Sequence, residues 1–420
     1  MFIKFSYYQL RFASYSNEWE SHKLGDILTF YSTNSFSREK LNYESGNVKN
    51  IHYGDIHTKF PTILSISGNK DVPFINADID LSKYKDDQYL QEGDLIIADA
   101  SEDYADIGKA IEVKDINNEK VLAGLHTILA RDEKNITING FKGYLFLTED
   151  LKTNIKRIAN GISVLGISKN NLSKLMVNIP NTEEQRDIVK FMSAIDKKIE
   201  LLEKKHTYYQ EFKKYLMQQI FAHKLRFDFK DEWKQYKLKD LLTVKSSSIS
   251  INQLEDNTGE YPLYGASGFL KNIDFCEMET DYISIVKDGS GVGNLSFHEK
   301  NSSIVNTSQY LLPKKDFDIH FLYYQLQTLN LLKYVNGSSI PHIYFKDYCI
   351  EKVTVPSLPE QQQIGKLFAD TDKTIENIDN CIRIIQEFKK GLLQQMFVYI
   401  LMQTILNFCA KICCNKNFLN

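Results

Sequence analysis

The stretch Asp288-Gly-Ser-Gly-Val-Gly293-Asn294 carries three glycines at alternate positions and could cradle a phosphate on bare backbone amides. A dinucleotide fingerprint needs glycine where Asn294 stands and a helix afterwards, whereas the residues that follow, LSFHEK, alternate as a strand does. The spacing therefore predicts a hairpin turn. Glu112-Val-Lys114 has the tail of a nuclease motif but no firm upstream carboxylate, and it reads as an exposed strand pair. No two of the eight prolines are adjacent, which removes the Asn/Asp-Pro-Pro-aromatic loop that holds a flipped base in amino-methyltransferases. A Gly-x-x-x-x-Gly-Lys-Ser/Thr phosphate loop is also missing. His52 and His57, five apart, suit neither one helix face nor one strand face, so metal ligation there has little support. His126, His298 and His342 fall near predicted strand ends or loops, where base contact competes with ordinary hydrogen-bonded roles. Among six cysteines, Cys276, Cys349 and Cys381 stand alone, and Cys409, Cys413 and Cys414 have no histidine near them. Neither a disulfide framework nor a zinc site follows, and a reducing, cytoplasmic setting is the expectation. No catalytic constellation emerges.

The elements that would position any site are written twice. Shifted by 176 positions, Ile179–Phe221 falls on Val355–Phe397 without a gap and with 18 identities in 43. The same shift pairs Asn160-Gly161 with Asn336-Gly337, and Ser163 with Ser339. Upstream, a shift of 214 lays Asn17–Thr29 on Asp231–Thr243 and matches Trp19 to Trp233, so the second copy is 38 residues shorter in between. Ile188, Ile195, Leu202, Tyr209 and Leu216 recur every seven residues, and Ile364, Thr371, Ile378, Ile385 and Leu392 repeat the pattern. That period is a coiled-coil seam, and residues 182–221 predict a rod of about 60 Å whose natural cover is its own twin. Asn181 with Glu184, and Ser357 with Glu360, have capping-box spacing.

Ahead of each rod lies a mixed α/β body. Strands are predicted at Asp94–Ala98 and Leu122–Ala130, then at Asp281–Val286, Asn294–His298 and Ile304–Leu312; helices are predicted at Gly143–Ile158 and Ile319–Val335. The expected organisation is an N-terminal segment 1–16, a body 17–178, a long helix 179–224, a second body 225–354, a second long helix 355–397 and an apolar tail 398–420. The tail is broken by polar residues and falls short of a membrane span. A formal net charge of −3 weakens the case for unaided nucleic-acid binding, which needs clustered Lys and Arg.

The duplicated pieces EWESHKLGDI and EWKQYKLKDL, YPLYGASG, SIVKDGSGVGNLSF, the helix openings IPNTEEQRDI and VPSLPEQQQI, and the closing EFKKxLxQQxF carry a resemblance. Over nearly its whole length the chain resembles the specificity (S) subunit of type I DNA restriction–modification systems. The resemblance implies an α/β (α+β) fold. Two target recognition domains with curled sheets would be joined by two long antiparallel coiled-coil helices about a pseudo-twofold axis. It also implies a non-catalytic reader of a bipartite, asymmetric site in double-stranded DNA, with two adenine methyltransferase subunits docked on the rods and two restriction subunits beyond them. S-adenosylmethionine, ATP and Mg would belong to those partners, and this chain would bind no cofactor, metal or membrane. The tail after Phe397 and the opening MFIKFSYYQ depart from the family pattern.

Candidate base readers are polar residues on the loops around the strands. They are Ser101, Lys109, His126 and Arg131 in the first body, and Lys271, Lys287, Ser290, Asn294 and His298 in the second. Near the helix starts, Glu184, Gln185 and Arg186, with Glu360, Gln361 and Gln362, are candidate partner contacts, although capping alone could explain the glutamates. Charge reversal at Glu184 and Glu360 is then expected to weaken assembly without unfolding the chain. The competing readings are a protein-only coiled-coil adaptor and a standalone DNA-modifying enzyme.

Overall fold

The structure, a computed structural model, describes residues 2–3, 10–254 and 257–397. The expected tail, 398–420, and residues 1 and 4–9 of the expected segment 1–16 lie outside the described residues. Two compact units form. One comprises Met1–Glu200 with Arg383–Asn420, the other Leu201–Ile382. Each unit therefore takes one recognition body, the opening of the helix that follows it, and the far end of the other long helix.

The two long helices are Thr182–Phe221 and Leu358–Phe397, 40 residues each. In the first unit, Ile188 and Met192 of one helix and Leu392, Leu393 and Met396 of the other share one buried cluster. In the second unit, Leu216 and Ile220 do the same with Ile364 and Phe368. The helices run antiparallel. Asp196 pairs with Lys389 in the first unit, and Lys213 pairs with Asp372 at 2.6 Å in the second. His206 meets Asp379 at 3.1 Å, so seven residues forward on one helix is seven back on its partner. These pairs are one feature seen twice, because a shift of 176 turns Asp196 into Asp372 and Lys213 into Lys389. A tyrosine hydroxyl completes each, Tyr144 donating to Asp196 at 2.9 Å and Tyr324 to Asp372 at 2.7 Å.

The repeat holds element by element. Short helices Lys169–Leu172 and Phe345–Tyr348 and strands Met176–Ile179 and Lys352–Val355 match at the same shift. Those strands pair antiparallel with Glu20–Lys23 and Lys234–Lys237 respectively. In the first body, a five-stranded sheet runs Thr29–Tyr31, Thr127–Arg131, Leu95–Ala98, Ala110–Lys114, Ile63–Ser65. In the second, a four-stranded sheet runs Leu242–Ser246, Ser308–Pro313, Tyr282–Val286, Leu295–His298. Their first three strands correspond in order and direction. A smaller sheet accompanies each.

Predicted elements broke where local chemistry forced a turn. Leu122–Ala130 is two strands, Lys120–Ala123 and Thr127–Arg131. Between them a Cβ on Gly124 would meet Ile51 O at 2.8 Å, and His126 takes φ 53°. Gly143–Ile158 is two helices, Phe141–Phe146 and Glu149–Ile158. Thr148, extended at φ −70° and ψ 141°, starts the second while its hydroxyl donates to Leu145 O. Thr328 makes the same bond to Gln325 O where the helix Ile319–Gln327 stops, short of the predicted Val335. Ile304–Leu312 likewise divides into Ser303–Ile304 and Ser308–Pro313. Among the described residues, no helix is long and apolar enough to cross a membrane, and no cluster of metal-ligating side chains forms.

Candidate nucleic-acid interface

In the first unit, polar and aromatic side chains gather where Leu95–Ala98 ends and Thr127–Arg131 begins. The left-handed turn puts the His126 ring out, its side chain 51% exposed, with Nδ1 3.5 Å from Asp99 Oδ1. Tyr53 stands edge-on to it at 5.3 Å and touches His52 and His57 on its other sides. Lys109 donates to His57 O at 2.6 Å, and His57 Nε2 lies 3.1 Å from Ala100 O. Burial raises the Asp99 carboxyl above its ordinary pKa while His126 opposes it; burial, then Arg38 alongside, lowers His52. Lys109 and His126 are thus linked through His57 and Tyr53, with His52 alongside; sequence spacing raises the two histidines only as metal ligands and does not single out Tyr53. The tyrosine between the two histidines was the available signal.

In the second unit the glycine-rich segment is the predicted hairpin turn. It joins Tyr282–Val286 to Leu295–His298, with Gly289, Gly291 and Gly293 all near φ 85°. Lys287, Ser290 and Asn294 share this turn. Ser290 and Asn294 are exposed, and Lys287 is ion-paired with Asp288. The turn leans on a second one: Gly289 N donates to Pro341 O at 2.8 Å, and Ile343 N to Lys287 O at 2.9 Å.

Other candidates are structural. Arg131 is 8% exposed and clamps Asp94 through two bonds of 2.7 and 2.8 Å. It sits at the far end of its strand from His126, about 17 Å away at the rise of a strand. The buried Ser101 hydroxyl closes its own turn with Asp103. His298, also buried, bonds Ser284 Oγ at 2.9 Å and stacks on Tyr282; burial pushes its pKa down to about 4. Lys271, on a strand of the three-stranded sheet, donates to Leu254 O at 2.6 Å, beyond that sheet. Glu112, expected on an exposed strand, is buried. It accepts from the amides of Gly140 and Gly143 at the start of a helix and pairs with Lys142.

Four of the six helix-start residues expected to contact a partner are buried instead. Glu184 does not turn back on its own cap. It is fully buried and holds Arg11 through two 2.6 Å bonds, while Asn181 alone caps Glu184 N. Glu360 is likewise buried and holds Arg226 through two 2.8 Å bonds, with Trp233 Nε1 at 3.3 Å. Gln185, also buried, bonds Ile138 N, Ile136 O and Pro180 O; Gln361 bonds Asp318 N and Pro356 O. These four side chains fasten each body to its helix and offer nothing to a partner. Charge reversal at the glutamates therefore strikes stability. Only Arg186 and Gln362 of the six face outward.

Residues 16–207 and 230–387 match the family profile described as type I restriction modification DNA specificity domain. The specificity subunit of type I restriction enzyme MjaVIII from Methanocaldococcus jannaschii is 28% identical over 182 residues, 40% of this chain and 42% of that one. The putative type I restriction enzyme MjaX specificity subunit of the same organism is 25% identical over 198 residues, 40% of this chain and 46% of that one. The aligned part thus spans less than half of either relative. Among solved structures, the type I restriction–modification S subunit from M. genitalium superposes with TM-score 0.62 at 15% identity, covering 91% of this chain and 97% of that one. A chain from a study of type I R-M assembly and conformational transition gives 0.52 at 15%, covering 92% and 99%. Both share the fold.

Proposed function

The chain belongs to the type I restriction modification DNA specificity family, and from that premise we propose that it is a non-catalytic subunit that reads a bipartite, asymmetric sequence in double-stranded DNA. The observation that carries this reading is a shared scaffold with two unlike rims. The elements around the long helices repeat residue for residue, while the first unit offers Lys109, His126 and Tyr53 and the second offers Ser290 and Asn294 on a glycine turn. Divergent rims read different half-sites, and equal rods dock the same partner twice. The partners are two adenine methyltransferase subunits and, through them, two restriction subunits. S-adenosylmethionine, ATP and Mg belong to those chains. A net charge of −3 suits a protein that shares the duplex with subunits supplying much of the phosphate neutralisation.

The test is co-expression of the chain with its methyltransferase in a host lacking both, followed by methylation-sensitive long-read sequencing. One split, asymmetric adenine-methylated motif is expected; an unchanged methylome refutes the reading. Purified chain alone, incubated with DNA and labelled methyl donor, is expected to transfer nothing.

A further inference from the structure

Asn160–Gly166 and Asn336–His342 are one turn built twice. In each, the first and last residues exchange both backbone bonds, at 2.9 and 2.7 Å in the first unit and at 2.9 and 2.8 Å in the second. Gly161 and Gly337 follow at φ 135° and 89°. A Cβ there would strike the carbonyl oxygen three residues on, that of Val164 at 2.0 Å and of Ile340 at 2.5 Å. Only glycine fits such an approach. The turn is thus the same rigid object in two bodies whose rims differ.

Its tip is apolar and faces outward. Val164 is 52% exposed and its equivalent Ile340 is 68% exposed, with Ile162 fully exposed beside the first. A single exposed aliphatic side chain is ordinary. A β-branched one at the same place on a duplicated, braced turn contributes to neither core and points to something that both units touch. Half-site bases are excluded, because rims that differ read different sequences. Phosphate could use the shared Ser163 and Ser339 hydroxyls, but an aliphatic tip offers it no donor, and neither NGISVLG nor NGSSIPH holds a lysine or arginine. What remains common to the two units is the protein partner.

We propose that the tips of the two turns, Val164 with Ile162 in one unit and Ile340 in the other, each enter an apolar pocket on a separate copy of the same modification subunit. This rests on the reading above, that one partner docks twice. The place is suitable. Ile167 N bonds Asp99 O beside His126, and Ile343 N bonds Lys287 O at the glycine turn. A subunit seated there is anchored against the rim that reads its own half-site. The turn is preorganised by its own hydrogen bonds, so docking it costs little ordering entropy.

The test uses the full chain co-expressed with its methyltransferase, carrying Val164→Asp, Ile340→Asp or both. Native mass spectrometry counts methyltransferase subunits per chain, and a thermal melt checks folding. The unaltered chain is expected to carry two, each single variant one and the double variant none. Loss at the altered turn should be about ten-fold or more in affinity, as expected when a carboxylate meets an apolar pocket. Melts should not move, and Val164→Ile with Ile340→Val should keep both subunits. Two subunits on a folded double variant overturn the proposal. So does a double variant that keeps its subunits but loses its DNA footprint, which would give the turns to DNA. If the unaltered chain recruits no methyltransferase, the functional reading itself falls, and the proposal with it.

Discussion

Glu184→Gln tests the fastening of the first body to its helix. Glu184 is fully buried, Arg11 is 6% exposed, and both carboxylate oxygens are engaged at 2.6 Å. Removing the negative charge leaves a guanidinium out of water with no counter-ion, and breaking such a pair costs about 3–5 kcal/mol. Glutamine retains one acceptor, so the lower end, about 3 kcal/mol, is expected, or a melting shift on the order of 10 °C for a unit of this size. The two tryptophans make the assay local, because Trp19 lies in the first unit and Trp233 in the second. With Trp233→Phe as background, Trp19 fluorescence in urea reports the first unit alone. Arg11→Met with Glu184→Met should recover much of the loss, since apolar side chains of similar volume carry no charge to desolvate. A loss below about 1 kcal/mol for Glu184→Gln, or a double variant as unstable as the single, would refute the reasoning. The corresponding change Glu360→Gln should cost the second unit less, because Arg226 keeps 30% of its side chain in solvent.

Three further outcomes are expected. The neutral, buried His298 has its pKa lowered to about 4, so the unfolded chain binds the extra proton between that value and about 6.5. The second unit should therefore lose about 3 kcal/mol as pH falls through that window. Trp233 fluorescence melts would show it, and His298→Gln should flatten the dependence. Reversing the helix pair by Asp196→Lys should destabilise the first unit by about 1 kcal/mol, and adding Lys389→Asp should restore it; failure of the rescue in urea melts counts against the antiparallel register. On the functional reading, Asn294→Ala should relax methylation at one half-site by about 1–3 kcal/mol of discrimination per base and leave the other half-site intact; loss at both halves contradicts it.

The duplication was legible in the sequence because helix periodicity and helix ends are local. The heptads from Ile188 to Leu216 and from Ile364 to Leu392 could be read without coordinates, and so could the hairpin at Asp288–Asn294, since three glycines before an alternating run permit little else. The interface was half legible. Lys109, His126, Ser290 and Asn294 sit on loops that composition marks, whereas Ser101, Arg131 and His298 had the same polar types in the same kinds of segment and turned inward. Sequence spacing could not separate the two groups, because a polar residue's fate depends on whether a partner waits inside. Asp94 for Arg131 and Ser284 for His298 are both brought by a neighbouring strand.

By itself, then, the sequence determined the periodic elements, their duplication and the glycine hairpin at Asp288–Asn294, all set by interactions among residues a few positions apart. Tertiary structure decided which charges are paired and where the glutamates at the helix starts point. Glu184 obeys capping-box spacing, but its partner is Arg11, 173 residues away. A carboxylate shut out of water takes the strongest donor within reach, and a guanidinium fork in a dry contact outcompetes a single amide at the helix's own end.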